Sequence, residues 1–261
     1  LNTIAHLSIG EQAAHYVERV KGINASGEFK GTIRDFKAKA KSKLRSGGSV
    51  ELECSMKNPT DGRKGVTATV SADELDLAEL LAKSIFGDVT FVANVEAELG
   101  NGEPLQLKGG GQIEQLTLNG CDYSNLAVVA DIEDSRIATS VSVGDDALKL
   151  DAQAILDFAD KSMPLYDAVM SVEHADLYAM NINKRDSVSV LKGDVGLSVR
   201  GASLDEMNGV LRVADAKYET MERGCEADLV ELFIESNEDA RTLTLASDFA
   251  DVVFESRTPY K

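Results

Sequence analysis

The segment LKLDAQAILDF, residues 148–158, alternates apolar and polar residues along its whole length. Its even-numbered positions are all apolar, and its odd-numbered positions are polar except for Ile155. A period of two residues is that of a β-strand, because successive side chains of a strand point to opposite faces of the sheet. The segment therefore predicts a strand with one apolar face and one polar face.

The same alternation recurs in segments that begin at residues 50, 89, 126, 137, 195 and 230. Turn sequences such as Asn101-Gly102 and Asn119-Gly120 lie between several of these segments. Strands joined by tight turns pair antiparallel with their neighbours in sequence. We therefore predict an all-β fold, an elongated curled antiparallel sheet that forms an open β-groove, or β-taco, from repeated strands.

Helical spacing of apolar residues is limited to two places, residues 11–20 and residues 73–85. These predict one or two short helices. We divide the chain into an N-terminal helical lead-in, residues 1–21, and a repetitive β-groove region, residues 22–261. The glycines of Lys108-Gly109-Gly110-Gly111 are interpreted as a flexible turn between strands, since no phosphate-binding lysine follows them.

An internal repeat with an offset of 100 residues is visible within the β-groove region. Residues 66–73 are echoed by residues 166–173, and Asp76-Leu77 is echoed by Asp176-Leu177. Repetition of this kind predicts a stack of similar units, in which each unit leaves an apolar face for its neighbours or a ligand to cover.

Composition and motifs exclude several classes of function. The chain has 27 Lys and Arg against 44 Asp and Glu, a formal charge of −17 that makes nucleic acid a poor partner. No apolar run approaches the ~18 residues that a membrane-spanning helix needs. The three histidines and three cysteines lack metal-ligand spacing, and no pair of acidic residues stands out as an acid and base. We therefore expect no enzyme activity, no metal site and no cofactor.

A basic stretch interrupts the acidic chain, where cationic residues alternate with small or apolar ones and would share one face of a strand. One interpretation is a solvated face that also protects the sheet against aggregation. The other is a weak contact with anionic lipid headgroups. The residues concerned are Lys37, Lys39, Lys41, Lys43 and Arg45.

Three segments of the chain resemble the repetitive region of the TamB family, in particular its Bacteroidetes type. They are residues 166–182 (YDAVMSVEHADLYAMNI), residues 194–213 (DVGLSVRGASLDEMNGVLRV) and residues 27–36 (GEFKGTIRDF). The resemblance covers about residues 22–255. These motifs mark strands and turns, and the family has no catalytic residue to carry over.

The resemblance implies a translocation and assembly module of the AsmA-like bridge type. Such proteins are anchored in the inner membrane, cross the periplasm of Gram-negative bacteria as a long β-groove, and meet a BamA-type barrel in the outer membrane. It further implies that this chain is an interior segment, whose apolar groove carries phospholipid acyl chains between the two membranes. An alternative function is a scaffold that assists outer-membrane biogenesis by offering sheet edges to unfolded barrel strands.

The apolar faces of the strands are the candidate groove, because a sheet without a second sheet must curl around its apolar face or bind something along it. The rival arrangement is a solid sandwich, in which these faces pack on one another. The candidate groove residues are Val89, Phe91, Val95, Leu99, Leu126, Val128, Ile132, Val141, Val143, Leu148, Leu150, Leu156, Phe158, Val195, Leu197, Val199, Leu232 and Ile234.

Overall fold

A computed structural model describes residues 24–32, 34–44, 48–57, 64–99, 106–203, 205–237 and 240–256. The proposed lead-in at residues 1–21, with its helix at 11–20, lies outside the described residues, as does Arg45. Among the described residues, no helix is long and apolar enough to span a membrane.

The described chain forms one 15-stranded antiparallel sheet whose strand order follows the sequence from first to last. This confirms the predicted all-β fold. The strands are β1 (Asn24–Thr32), β2 (Asp35–Lys43), β3 (Ser49–Lys57), β4 (Lys64–Asp76), β5 (Phe86–Leu99), β6 (Gln106–Leu118), β7 (Cys121–Glu133), β8 (Arg136–Gly144), β9 (Leu148–Asp157), β10 (Leu165–Asp176), β11 (Ser189–Arg200), β12 (Asn208–Thr220), β13 (Gly224–Ser236), β14 (Arg241–Ser247) and β15 (Asp251–Ser256).

The sheet is not closed into a barrel, because β1 and β15 are its two edges and do not pair with each other. Fifteen strands at about 4.8 Å spacing give the sheet a length of about 67 Å. Extensive packing among the described elements joins only strands adjacent in sequence, apart from the short helix on β5. The described strands form one sheet rather than two, and few of their apolar side chains are fully buried, an arrangement that does not resemble a solid sandwich.

The register places most of the apolar residues of the described strands on one face. Across β7 to β10, for example, Val128 pairs with Val141, Val141 with Ala152, and Ala152 with Met170. Paired residues share a face in an antiparallel sheet. We call this face the inner face and the opposite, polar face the outer face.

The exposure of adjacent residues differs between the two faces. Val129 and Val169 on the outer face are 56% and 57% exposed, whereas their neighbours Val128 and Met170 on the inner face are half-buried. At these positions the inner face is the more sheltered one, and we call the apolar surface that runs along it the trough.

One short helix, α1 (Leu77–Leu81), replaces the helix predicted over residues 73–85. The prediction was too long at both ends. The chain remains in β4 through Asp76, whose side chain accepts a hydrogen bond from the N–H of Glu79 and caps the helix. At the other end Ala82 adopts a left-handed conformation and donates its N–H to the carbonyl of Ala78, which ends the helix.

The three consecutive glycines lie inside β6 and do not form a turn, so that prediction was wrong. Gly109 and Gly111 occupy the inner face, and a Cβ at either position would lie 3.1 Å from a backbone oxygen of β5. The close approach of the β5 and β6 backbones explains why glycines occupy this part of the strand. The same glycines gave the sequence the appearance of a turn. The absence of side chains also widens the trough at this point.

Candidate functional site

The trough is lined differently at its two rims. Strand ends alternate between them, because every connection in the sheet is a hairpin. One rim carries α1, the β6–β7 turn at Asn119-Gly120 and the segment 177–188 between β10 and β11. We call it the capped rim. The opposite rim, which carries the short connections 134–135, 158–164 and 201–207, we call the open rim.

Nearly all of the fully buried apolar side chains lie along the capped rim. They form two clusters among the described residues, and both clusters contact Ile113 and Leu116, so that they are continuous. Val199, at the open rim, is the exception. We call this continuous core the rim strip; its buried members are Ala72, Leu75, Val89, Tyr123, Leu126 and Val143.

Two elements cover the rim strip, and they are related by the repeat of 100 residues. Leu77 and Leu80 of α1 pack on the first cluster, and Met180 packs on the second. Asp176 accepts hydrogen bonds from the N–H groups of residues 178 and 179, much as Asp76 caps α1. The repeat seen in the sequence therefore brings an apolar cap over the rim in each unit. The echo of Asp-Leu at an offset of 100 was the signal for these caps, although Leu80 and Met180 were not identified from it.

A pair of asparagines fastens the second cap along the capped rim. The Asn181 side chain donates to the carbonyl of Asn119 at 3.0 Å, and the Asn119 side chain donates to the carbonyls of Asn181 and Met180 at 3.3 and 3.4 Å. Asn119 lies between β6 and β7, about four strand spacings, or about 19 Å, from the β10–β11 connection along a flat sheet. The segment 177–188 thus reaches over several strands and helps to hold the curled shape.

The middle of the trough, by contrast, has no cover. Ala130, Thr139, Ala154 and Ala168 are opposite one another in β7 to β10 and are half-buried. The Thr139 hydroxyl donates to the carbonyl of Val129 at 2.9 Å, so that its hydrogen-bonding capacity is used within the sheet. Small side chains without free polar groups leave an open apolar surface between the two rims.

The predicted groove residues divide among these regions. Several belong to the rim strip or pack on it: Val89, Phe91, Leu126, Val141, Val143, Leu148 and Leu150. Half-buried residues line the open part of the inner face: Val95, Val128, Ile132, Leu156, Val195, Leu197, Leu232 and Ile234. The open rim holds Val199 and Phe158, whose ring meets Tyr166 edge-on at 6.0 Å. Leu99 pairs with Lys64 at the end of β5, and its side chain lies outside the described residues.

The lysines of the basic stretch lie on the outer face of β2, away from the trough. Lys39 forms an ion pair with Glu53, and Lys41 forms one with Glu51, both across the β2–β3 pairing. Lys37 and Lys43 are exposed on the same face. This arrangement favours a solvated face of the sheet, and a role in headgroup contact stays a prediction.

Asp145 ties the β8–β9 turn to the start of β7 beneath the rim strip. Its carboxylate accepts hydrogen bonds from the N–H and hydroxyl of Ser124, at 2.9 and 2.8 Å, and from the N–H of Ala147 at 2.9 Å. Burial opposes ionisation, but these three hydrogen bonds outweigh it and lower the pKa of Asp145. Next to it, burial raises the pKa of Tyr123 to about 12, with interactions with Cys121 and Asp145 contributing.

Asp145→Asn is expected to lower the free energy of unfolding at pH 7 by about 1–3 kcal/mol, because it weakens charge-assisted hydrogen bonds in a buried site. Since folding lowers the pKa of Asp145, its contribution is complete above the unfolded pKa of about 3.9 and is lost as pH falls through the folded pKa. Urea titrations at pH 7 and at pH 3 would measure this. The deficit of the variant should shrink at pH 3, and the exposed neighbour control, Asp146→Asn, should stay within about 0.5 kcal/mol of wild type. A pH-independent deficit would contradict the prediction.

Comparison with protein-family models, with curated proteins and with solved structures finds no match to this chain. Within the described ranges, no group of three or more His, Cys, Asp or Glu residues is placed to hold a metal ion. The functional argument therefore depends on the trough itself.

Proposed function

We propose that the chain is a periplasmic segment of a TamB-like envelope bridge, and that its trough carries phospholipid acyl chains between the inner and outer membranes. The observation that supports this most directly is the uncovered inner face. It is apolar across the described strands β2 to β15, and between the rims no second layer of the described protein lies on it.

Physical chemistry favours an apolar ligand there. Each apolar side chain left half-exposed forgoes part of the hydrophobic free energy of burial, about 25 cal/mol for every Å². A contiguous apolar surface of this size is unusual on a soluble protein and marks a binding site. The outer face, which carries ion pairs such as Arg212–Glu231 and Lys108–Asp131, keeps the other side of the same sheet in water.

The bridge, the inner-membrane anchor and the partnership with a BamA-type barrel are proposed from the sequence resemblance. A trough open at both ends of the described sheet is compatible with them, because further strands could extend it in either direction. Such a protein would need no catalytic residues, since transfer of a lipid along an apolar surface breaks no covalent bond.

A photo-crosslinker compares the two faces of β10. Benzoylphenylalanine replaces Met170 on the inner face in one variant and Val169 on the outer face in the other. The protein is expressed in a Gram-negative host, irradiated, and analysed for attached phospholipid by mass spectrometry. We expect lipid on the Met170 variant and none on the Val169 variant. Equal labelling of both variants, or no labelling of either, would count against a lipid-carrying trough.

The scaffold function is the second candidate, and the exposure of β15 favours it. Val252 and Phe254 on one face of this strand and Val253 on the other are more than half exposed, and within the described sheet the strand pairs only with β14. An apolar strand at a sheet edge is a template for strand addition. Capture of a strand-forming peptide from an outer-membrane barrel, with no lipid on the Met170 variant, would favour this function over lipid transfer.

A further inference from the structure

The outer face is not polar throughout, because apolar residues form a continuous path across strands β7 to β12. Ile155, the apolar exception in the alternation of β9, lies on this face and pairs with Ala138 of β8. Val129 lies diagonally beyond Ala138, and Val169 lies diagonally beyond Ile155. We call this path the outer lane; its residues are Val129, Ala138, Ile155, Val169, Gly196 and Ala214.

The outer lane is open to a partner. Val129 and Val169 are more than half exposed. Two adjoining hollows of about 470 and 490 Å³ lie along the lane and share Val169 as a lining residue. A Cβ placed on Gly196 would meet no atom within 4 Å, so the backbone there is also accessible. A contiguous exposed apolar surface of this kind marks an interaction site.

The charges beside the outer lane are acidic and largely unneutralised. Aspartates flank the lane on both sides: Asp131 and Asp167 towards the open rim, and Asp151 and Asp194 towards the capped rim. Asp131 forms an ion pair with Lys108, whereas the other three are exposed and form no ion pair with any described residue. Arg212, the cation nearest Gly196 across the β11–β12 pairing, is already paired with Glu231. The complement to this surface is an apolar stripe with positive charges along its flanks.

The position of the outer lane within the sheet favours a helix as the partner. Each strand from β8 to β11 pairs with a neighbour on both sides, so a segment lying on the face finds no free backbone groups of the sheet to bond with. Buried backbone N–H and carbonyl groups need partners, and a helix supplies its own. Five strand spacings of about 4.8 Å make the lane about 24 Å long, which is the length of a helix of about 16 residues.

We infer that the outer lane binds a basic amphipathic helix of a partner protein. The apolar stripe of that helix would lie on the valines and Ile155, and its lysines or arginines would meet Asp151, Asp167 and Asp194. The lane is on the face opposite the trough, so this inference does not depend on what the trough carries.

A designed helical peptide tests the inference with the full chain. The peptide is stapled, has about 16 residues, and carries leucines along one face and lysines along both flanks. A second peptide has glutamate in place of each lysine. Fluorescence anisotropy measures the binding of both. We expect the lysine peptide to bind at least about tenfold more tightly than the glutamate peptide, because only its charges complement the aspartates.

Variants then locate the binding surface. Asp151→Lys combined with Asp194→Lys should weaken binding of the lysine peptide at least about tenfold and strengthen binding of the glutamate peptide. Val169→Ser should weaken the lysine peptide by about fivefold, since it removes apolar contact. The matched control is Asp251→Lys combined with Glu255→Lys, the same charge change on the outer face of β15, which should stay within about twofold of wild type. Urea titration verifies that each variant is folded.

Several outcomes would overturn the inference. They are equal binding of the two peptides, no binding of the lysine peptide, wild-type binding by Val169→Ser, and an equal loss of binding in the control variant. Self-association of the unmodified protein in sedimentation, abolished by Val169→Ser, would assign the outer lane to a second copy of this chain and would also overturn it. None of these outcomes bears on lipid in the trough, which the crosslinking at Met170 measures separately.

Discussion

Ala154→Asp is expected to abolish lipid binding while the protein stays folded. Ala154 lies in the middle of the trough, opposite Thr139 and Ala168, where nothing in the described structure covers it. An aspartate at this position can remain hydrated in the empty trough, so the cost to folding should be below about 1 kcal/mol. In the path of an acyl chain the same carboxylate would have to lose water, at a cost of several kcal/mol.

The measurement is the amount of phospholipid that co-purifies with the protein, determined by native mass spectrometry. We expect it to fall at least about tenfold, which corresponds to about 1.4 kcal/mol. The matched control is Gln153→Asp, one residue earlier on the same strand and exposed on the outer face, which should bind as much lipid as wild type. Equal loss of lipid in both variants, or in neither, would show that the middle of the trough is not the binding surface.

Val143→Asp is expected to have the largest effect on stability, since it places a charge inside the rim strip. Val143 is 6% exposed and packs with Tyr123 and Leu126 under Met180. A carboxylate there has no hydrogen-bond donor provided for it, so that we expect a loss of more than about 4 kcal/mol, enough to unfold a marginally stable protein.

Circular dichroism and a urea titration measure this loss. Ser142→Asp, on the outer face beside it, is the control and should change the free energy of unfolding by no more than about 0.5 kcal/mol. A cooperative urea transition of Val143→Asp at the wild-type midpoint would show that the rim strip is not a packed core. A comparison of Val143→Asp with Ala154→Asp distinguishes the packed rim from the open middle of the same inner face.

The strands and their two faces could be predicted because they depend on a local property, the alternation of apolar and polar side chains. Leu148 to Leu156 alternate in the sequence and do so in β9, and the register then aligns the apolar face of each strand with that of the next. The polar turn sequences set hairpins between neighbours. Neither feature requires knowledge of residues distant in sequence.

The predictions that were wrong concern segments in which the local conformational preference competes with pairing to an adjacent strand. Residues 73–76 have helical neighbours and yet stay in β4, because pairing with β5 continues through Asp76 after a bulge. Gly109, Gly110 and Gly111 have the composition of a turn, yet they form strand pairs with β5 and β7 on both sides. In each case the backbone hydrogen bonds of an adjacent strand outweighed the local preference.

The alternating sequence by itself determined that this protein is a continuous antiparallel sheet with one apolar face, because strand period and turn chemistry act over a few residues. Only the tertiary structure decided how that face is used. Met180 covers Leu126 and Val143, and Asn181 meets Asn119 about 60 residues away, while Ala154 and Ala168 stay uncovered. Alternation is the same for a buried apolar face and an open one, since the difference between them lies in which distant segment folds over the sheet.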